Sequence, residues 1–182
     1  MKNSTQHRLA DYPTYVKAIG MIALETVDLE LQLAVLFSRM LSIPPKVGRA
    51  IYMSPKSDQA RLDIMRNAAH AAFDPRPKSN PTSMLARRKA NALKKVLALV
   101  SRSQGSINYR HRTMHDNWNV YGELEEVRRR IVDGDHTRKS IPIPADDLKH
   151  QIETLRTLID DVINLADEFD RQPPALADMR RE

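Results

Sequence analysis

Residues 13–41 read PTYVKAIGMIALETVDLELQLAVLFSRML, and their pattern decides the fold class. At about 100° per residue, Glu25, Asp28, Gln32 and Arg39 fall on one narrow arc of a helix. Most of the remaining surface is apolar: Ile22, Leu24, Val27, Leu29, Leu31, Leu33, Val35, Leu36, Phe37 and Met40. The spacing predicts one long helix, opened by Pro13, which a first turn tolerates, and ended by Pro44-Pro45. A helix apolar over most of its circumference must be covered on several sides, so it is expected at the centre of a helical domain or inside a dimer. It has the length of a membrane span, but Glu25, Asp28, Glu30 and Arg39 are each costly in a bilayer, so no membrane association is expected. Glu30 stands outside the polar arc. A lone buried carboxylate is too costly to persist, so Glu30 needs a cationic or hydrogen-bonding partner.

Working outward, a short second helix follows Pro45 and ends near Tyr52, and a third runs from Ser57, a candidate N-cap, to Phe73. Residues 74–81, DPRPKSNP, read as a loop. A fourth helix starts near Ser83 and reaches at least Ser103. Leu85, Leu93, Val96, Leu97 and Val100 share one side of it, and Arg87, Arg88, Lys94, Lys95 and Arg102 the opposite side. Gly105 is a candidate break. Residues 126–132 and 139–143 flank Asp133-Gly134-Asp135-His136, a hairpin signal, and Pro142 and Pro144 confine the second strand to an edge. A last helix begins after Pro144 and reaches about Phe169. Its Leu148, Ile152, Leu155, Ile159, Val162, Ala166 and Phe169 form a heptad-like seam that suits packing inside the domain or against another chain. The expected architecture is all-α, a bundle of four to five helices with a small β-hairpin before the C-terminal helix. One domain is expected over 1–170, with a loosely ordered tail at 171–182.

Composition narrows the chemistry. The 182 residues fit one domain, and only 5 glycines argue against a turn-rich all-β fold. The absence of cysteine removes disulfides, thiolate metal sites and cysteine nucleophiles, and permits a reducing compartment. MKNSTQHRLADYP contains no apolar run, so no secretory leader is expected and a cytoplasmic location is. The formal net charge of +6 suits a polyanionic partner. No Gly-rich phosphate loop, paired-carboxylate array or serine-nucleophile context is present. The basic stretches lack interleaved aromatics, so base-stacking platforms are not indicated.

Functional side chains are densest at Tyr109, Arg110, His111, Arg112, His115, Asp116 and Trp118. If the fourth helix continues in phase through Gly105, then Arg110, His111 and His115 face its apolar side with Ile107 and Met114. Tyr109 and Arg112 then fall on the basic side. Charge facing a groove between helices requires an acidic partner or a ligand, and Glu30 is the acid expected to meet Arg110. His111 and His115, at i and i+4, have a spacing that suits metal ligation. However, HRTMH lacks the glutamate of the zinc-protease pattern, and no further set of ligands converges beyond Asp116. No metal and no cofactor is therefore expected. Structural alternatives stand beside these readings: His115 as a hydrogen-bonded helix-end histidine, and Arg110 as one half of a buried ion pair. Arg66 to His70 superficially repeats the pattern but reads as a solvated helix face.

The stretch Arg110-His111-Arg112-Thr113-Met114-His115 resembles the motif of HEPN domains, in which an arginine precedes a histidine by a few residues and is often followed directly by Asn, Asp or His. An early helix carrying Leu29-Glu30, a tryptophan (Trp118) soon after the motif and a hydrophobic closing helix also fit, so the likeness spans roughly Ala18 to Phe169. The resemblance implies a helical bundle that dimerises, with two motifs facing each other to form one composite site. Many HEPN domains are metal-independent endoribonucleases of toxin–antitoxin or phage-defence systems, and others are interaction modules without catalysis. On the first alternative Arg110, His115 and His111 are catalytic, Glu30, Asp116 and Tyr109 support them, and the partners are a second copy, RNA and a cognate antitoxin protein. Arg112, Arg128, Arg129, Arg130, Arg138 and Lys139, clustered at and just after the motif, are the candidate RNA track. The chemistry suits the residue types: histidine serves as acid or base near neutral pH, and arginine stays charged and grips two phosphate oxygens. Along one helix five residues turn about 140°, so Arg110 and His115 of a single chain do not point together, and a two-fold pair of chains supplies two of each. On the second alternative the same dimer only binds nucleic acid or a protein. A helix-turn-helix reading of 42–73 is weaker, because the turn MSPKS holds two breakers and no convincing recognition helix follows.

Overall fold

The computed structural model describes residues 9, 12–73, 84–115, 117–121, 126–132 and 138–171, the side chains of 117–141 excepted. Its helices are α1 (Pro13–Met40), α2 (Pro45–Met53), α3 (Asp58–Phe73), α4 (Met84–His115) and α5 (Ala145–Arg171). The helical character expected from the sequence holds, and the ends of α1, α2 and α3 fall within about two residues of their expected positions. Between α4 and α5 the backbone forms three strands, β1 (Asn117–Tyr121), β2 (Glu126–Val132) and β3 (Arg138–Pro142), paired antiparallel in the order β1-β2-β3. Pro142 ends the edge strand β3, where a missing N–H breaks no central ladder.

Gly105 does not interrupt α4, which continues to His115. The glycine lacks positive φ, and an added Cβ would meet nothing within 4 Å. A solvent-facing glycine costs a helix only about 1 kcal/mol, which flanking burial at Ser103, Ser106 and Ile107 outweighs.

The chain gathers into two compact units, Met1–Thr26 with Asn108–Arg156, and Val27–Ile107 with Thr157–Glu182. In the second unit, α1 buries Leu29, Leu33, Leu36, Phe37 and Met40, α3 buries Leu62, Met65 and Phe73, and α5 buries Leu158, Val162 and Phe169. Tilted ring pairs, Phe37–Tyr52 with centroids 5.8 Å apart and Phe73–Phe169 at 5.5 Å, lie within this core. α1 stops through Ser42, whose φ of 52° is left-handed, and Ile43 N–H closes the end on the Ser38 carbonyl at 3.1 Å.

α2 approaches α1 so closely that a Cβ on Gly48 would lie 2.1 Å from Ser38 Oγ and 3.0 Å from Ser38 Cα. Ser38 Oγ is itself committed, donating to the Ala34 carbonyl at 2.8 Å. Gly48→Ala is therefore expected to push the helices apart and cost about 1–3 kcal/mol in urea denaturation, as overpacked cores do. A loss below about 0.5 kcal/mol would mean that the helices separate freely there.

In the first unit, α1 buries Ala18, Ile22 and Thr26, and α5 buries Leu148, Ile152 and Leu155. Tyr15 Oη donates to the Ile143 carbonyl at 3.0 Å, and Arg156 Nε donates to Glu25 Oε1 at 2.8 Å. Every member of the α5 heptad seam is buried within the chain, so the seam is spent internally. α1 is not covered on all sides, since Leu24 is 65% exposed and Val27 53%.

Candidate functional site at the end of α4

The last turns of α4 are built on an unexpected phase. Val96, Leu99, Val100, Ser103, Ser106, Ile107 and Thr113 form its buried stripe, whereas Leu85 is exposed and Leu93 and Leu97 are half-buried. The buried face is thus rotated from the one inferred from the leucines, because small hydroxyl residues fill it. Ser103 is tolerated there because its Oγ donates to the Leu99 carbonyl at 2.8 Å.

This rotation sorts the candidate residues. Arg110 lies in line with the buried stripe and is half-buried, as is Tyr109. His111 and His115, expected on the apolar side, face solvent instead, and Arg112 is exposed as expected. The two imidazoles come together one helical turn apart, with ring centroids 4.6 Å apart and planes tilted by 49°. Arg112, in the last turn, complements the partial negative charge of the helix end. The helix end thus presents two solvent-facing imidazoles, which can take or give protons, beside arginines that can bind an anion.

Asp116 lies outside the described residues. Arg128, Arg129 and Arg130 are on β2, and Arg138 and Lys139 on β3, with Arg130 opposite Ser140, Ile131 opposite Lys139 and Val132 opposite Arg138. The α4 basic arc is partly neutralised in the second unit: Lys95 Nζ meets Glu168 Oε2 at 2.7 Å, and Arg102 Nη1 meets Asp161 Oδ2 at 2.7 Å. Arg87, Arg88 and Lys94 face solvent.

Glu30 is buried, as its position among apolar residues requires, and its Oε2 accepts a hydrogen bond from Arg61 Nη1 at 3.0 Å. Arg61 Nη1 also reaches Asp58 Oδ1 at 3.2 Å, and its Nε donates to the Pro55 carbonyl at 3.2 Å. One guanidinium thereby ties α1, the turn after α2 and the start of α3. Of these contacts only the one to Asp58 has a local sequence signal, an i,i+3 charge spacing at the start of a helix.

Burial pushes the Tyr52 phenol well above its ordinary range; Glu30 adds to the rise and Arg61 opposes it. The unfolded phenol ionises near about 10 and the folded one higher, so this contribution is complete below about pH 10 and is lost as pH rises above it. Denaturation at about pH 8 and about pH 11 should show a smaller alkaline loss in Tyr52→Phe than in the wild type. Equal losses would mean that Tyr52 ionises freely in the fold.

Among the described residues, no group of three or more histidine, aspartate or glutamate side chains is placed to hold a metal ion, and no helix is long and apolar enough to cross a membrane. Compared with protein-family models, curated proteins and solved structures, the chain matches none.

Proposed function

We propose that the chain is a HEPN-like helical protein of the cytoplasm that works as a homodimer and cleaves RNA without metal, in the manner of toxin or defence ribonucleases. The observation that carries this reading is the solvent-facing pair His111 and His115, one turn apart on the same helix end as Arg110 and Arg112. Such cleavage needs a base for the 2′-hydroxyl, an acid for the leaving oxygen and a cation for the charged phosphorane. His115 and His111 supply the proton transfers and Arg110 the cation, supported by Tyr109 and by Asp116, the next residue in sequence. Arg112 and the hairpin residues Arg128, Arg129, Arg130, Arg138 and Lys139 track the phosphates. A small antitoxin protein is the natural counterpart of such an activity.

Dimerisation is supported by the apolar residues that α1 leaves open, Leu24 and Val27, which a second copy would cover. Light scattering at micromolar concentration is expected to give twice the 20.8 kDa chain mass. A monomer mass would remove the composite site. The direct test of the activity is incubation of RNA in excess EDTA: wild type cleaves, and His115→Ala does not. The half-buried position of Arg110, already engaged within the fold, favours a second reading in which the same dimer binds nucleic acid or a protein without cutting. Absence of cleavage under all conditions, with RNA binding retained, would select it.

A further inference from the structure

We propose that His111 and His115 chelate one divalent transition-metal ion of the zinc class. Both are solvent-facing and one turn apart on the continuous helix α4, with ring centroids 4.6 Å apart. A tetrahedral ion about 2.0–2.1 Å from each imidazole nitrogen holds those nitrogens about 3.3 Å apart. Rings already this close reach that separation by rotating about their own side-chain bonds, and exposed side chains are free to do so. The backbone needs no rearrangement, because i and i+4 on a regular helix lie on the same face. Imidazole is a borderline ligand that suits Zn²⁺, Ni²⁺ and Cu²⁺ rather than Mg²⁺ or Ca²⁺. Water fills the remaining positions.

Arg110 and Arg112 stand on either side of His111 and repel a cation. The partial negative charge of the C-terminal end of α4 opposes that repulsion. The balance points to micromolar affinity rather than to the tight closed site of a structural zinc. On the ribonuclease reading, and resting on it, an ion seated here occupies lone pairs that proton transfer requires, so the site is inhibitory rather than catalytic.

Binding is tested without RNA, so its outcome stands apart from that of the ribonuclease reading. Zinc chloride titrated calorimetrically into the full chain, in chelator-free buffer, should saturate at one ion per chain on the histidine pair. His111→Gln and His115→Gln should each weaken that binding at least about tenfold, since either loss breaks the chelate. His70→Gln and His150→Gln, which change solvent-facing histidines on α3 and α5, should leave it intact. Melting curves guard against misfolding: zinc should raise the wild-type melting temperature by a few degrees, and neither pair variant, folded by circular dichroism, should respond. No saturable binding up to millimolar zinc, or binding that survives both pair substitutions, would overturn the assignment.

Discussion

Glu30→Ala should destabilise the fold by about 3 kcal/mol, the lower end of the range of about 3–5 kcal/mol seen when one partner of a buried ion pair is removed. The Glu30 side chain is 9% exposed and that of Arg61 17%, so water screens the pair little. Removing the carboxylate leaves the guanidinium with Asp58, whose side chain is 28% exposed, and with the Pro55 carbonyl. That residual support is why the lower end of the range is expected. Glu30→Gln keeps an acceptor for Arg61 and should cost less. Glu30→Leu with Arg61→Met removes both charges and should recover much of the loss, because the desolvation cost of each ion goes with it. Urea denaturation measures all of these. A loss under about 1 kcal/mol for Glu30→Ala would mean that the pair behaves like a surface salt bridge.

His115→Ala should lower the rate of RNA cleavage in EDTA by about 10²–10⁴-fold, the usual worth of a positioned general acid or base. Its stability cost should be small, because His115 faces solvent at the end of α4. This pairing of a large activity effect with a small stability effect distinguishes a catalytic histidine from a structural helix-end one. Arg110→Ala cannot be read as cleanly, since Arg110 is half-buried and takes part in the fold. Arg110→Lys keeps the charge but loses the bidentate grip on a phosphate, and should fall well below wild type while staying above alanine.

The helices were legible in the sequence because their stop signals are strong. Pro44-Pro45 ends α1, the prolines of 74–81 separate α3 from α4, and Pro144 precedes α5. The α5 seam was legible because its heptad residues are all large or apolar. Whether the seam met its own chain or another was not, since both partners bury the same atoms. The buried face of α4 departs from its leucine pattern for a physical reason: leucines mark a buried face only when no smaller residues compete. Ser103, Ser106 and Thr113 take the tighter interface, and Leu85 is left exposed. That Glu30 would be buried and paired was readable, because an isolated carboxylate among leucines has few options. That Arg61 would be among its partners was not, because Arg61 reaches it from 31 residues away through the turn between α2 and α3. β1 was also missed, because Trp118 and Val120 alternate with polar residues over only five positions.

Two copies building one site is the central claim, and mixing two weakly active variants tests it directly. Arg110→Lys and His115→Ala are each purified, unfolded together, refolded as a mixture and assayed on RNA in EDTA. Random pairing makes about half of the dimers mixed, and each mixed dimer holds one intact Arg110 and one intact His115 on opposite chains. Cleavage should rise in the mixture to about a quarter to a half of the wild-type rate, while each variant treated alone stays low. A mixture no more active than the average of its two components would contradict it.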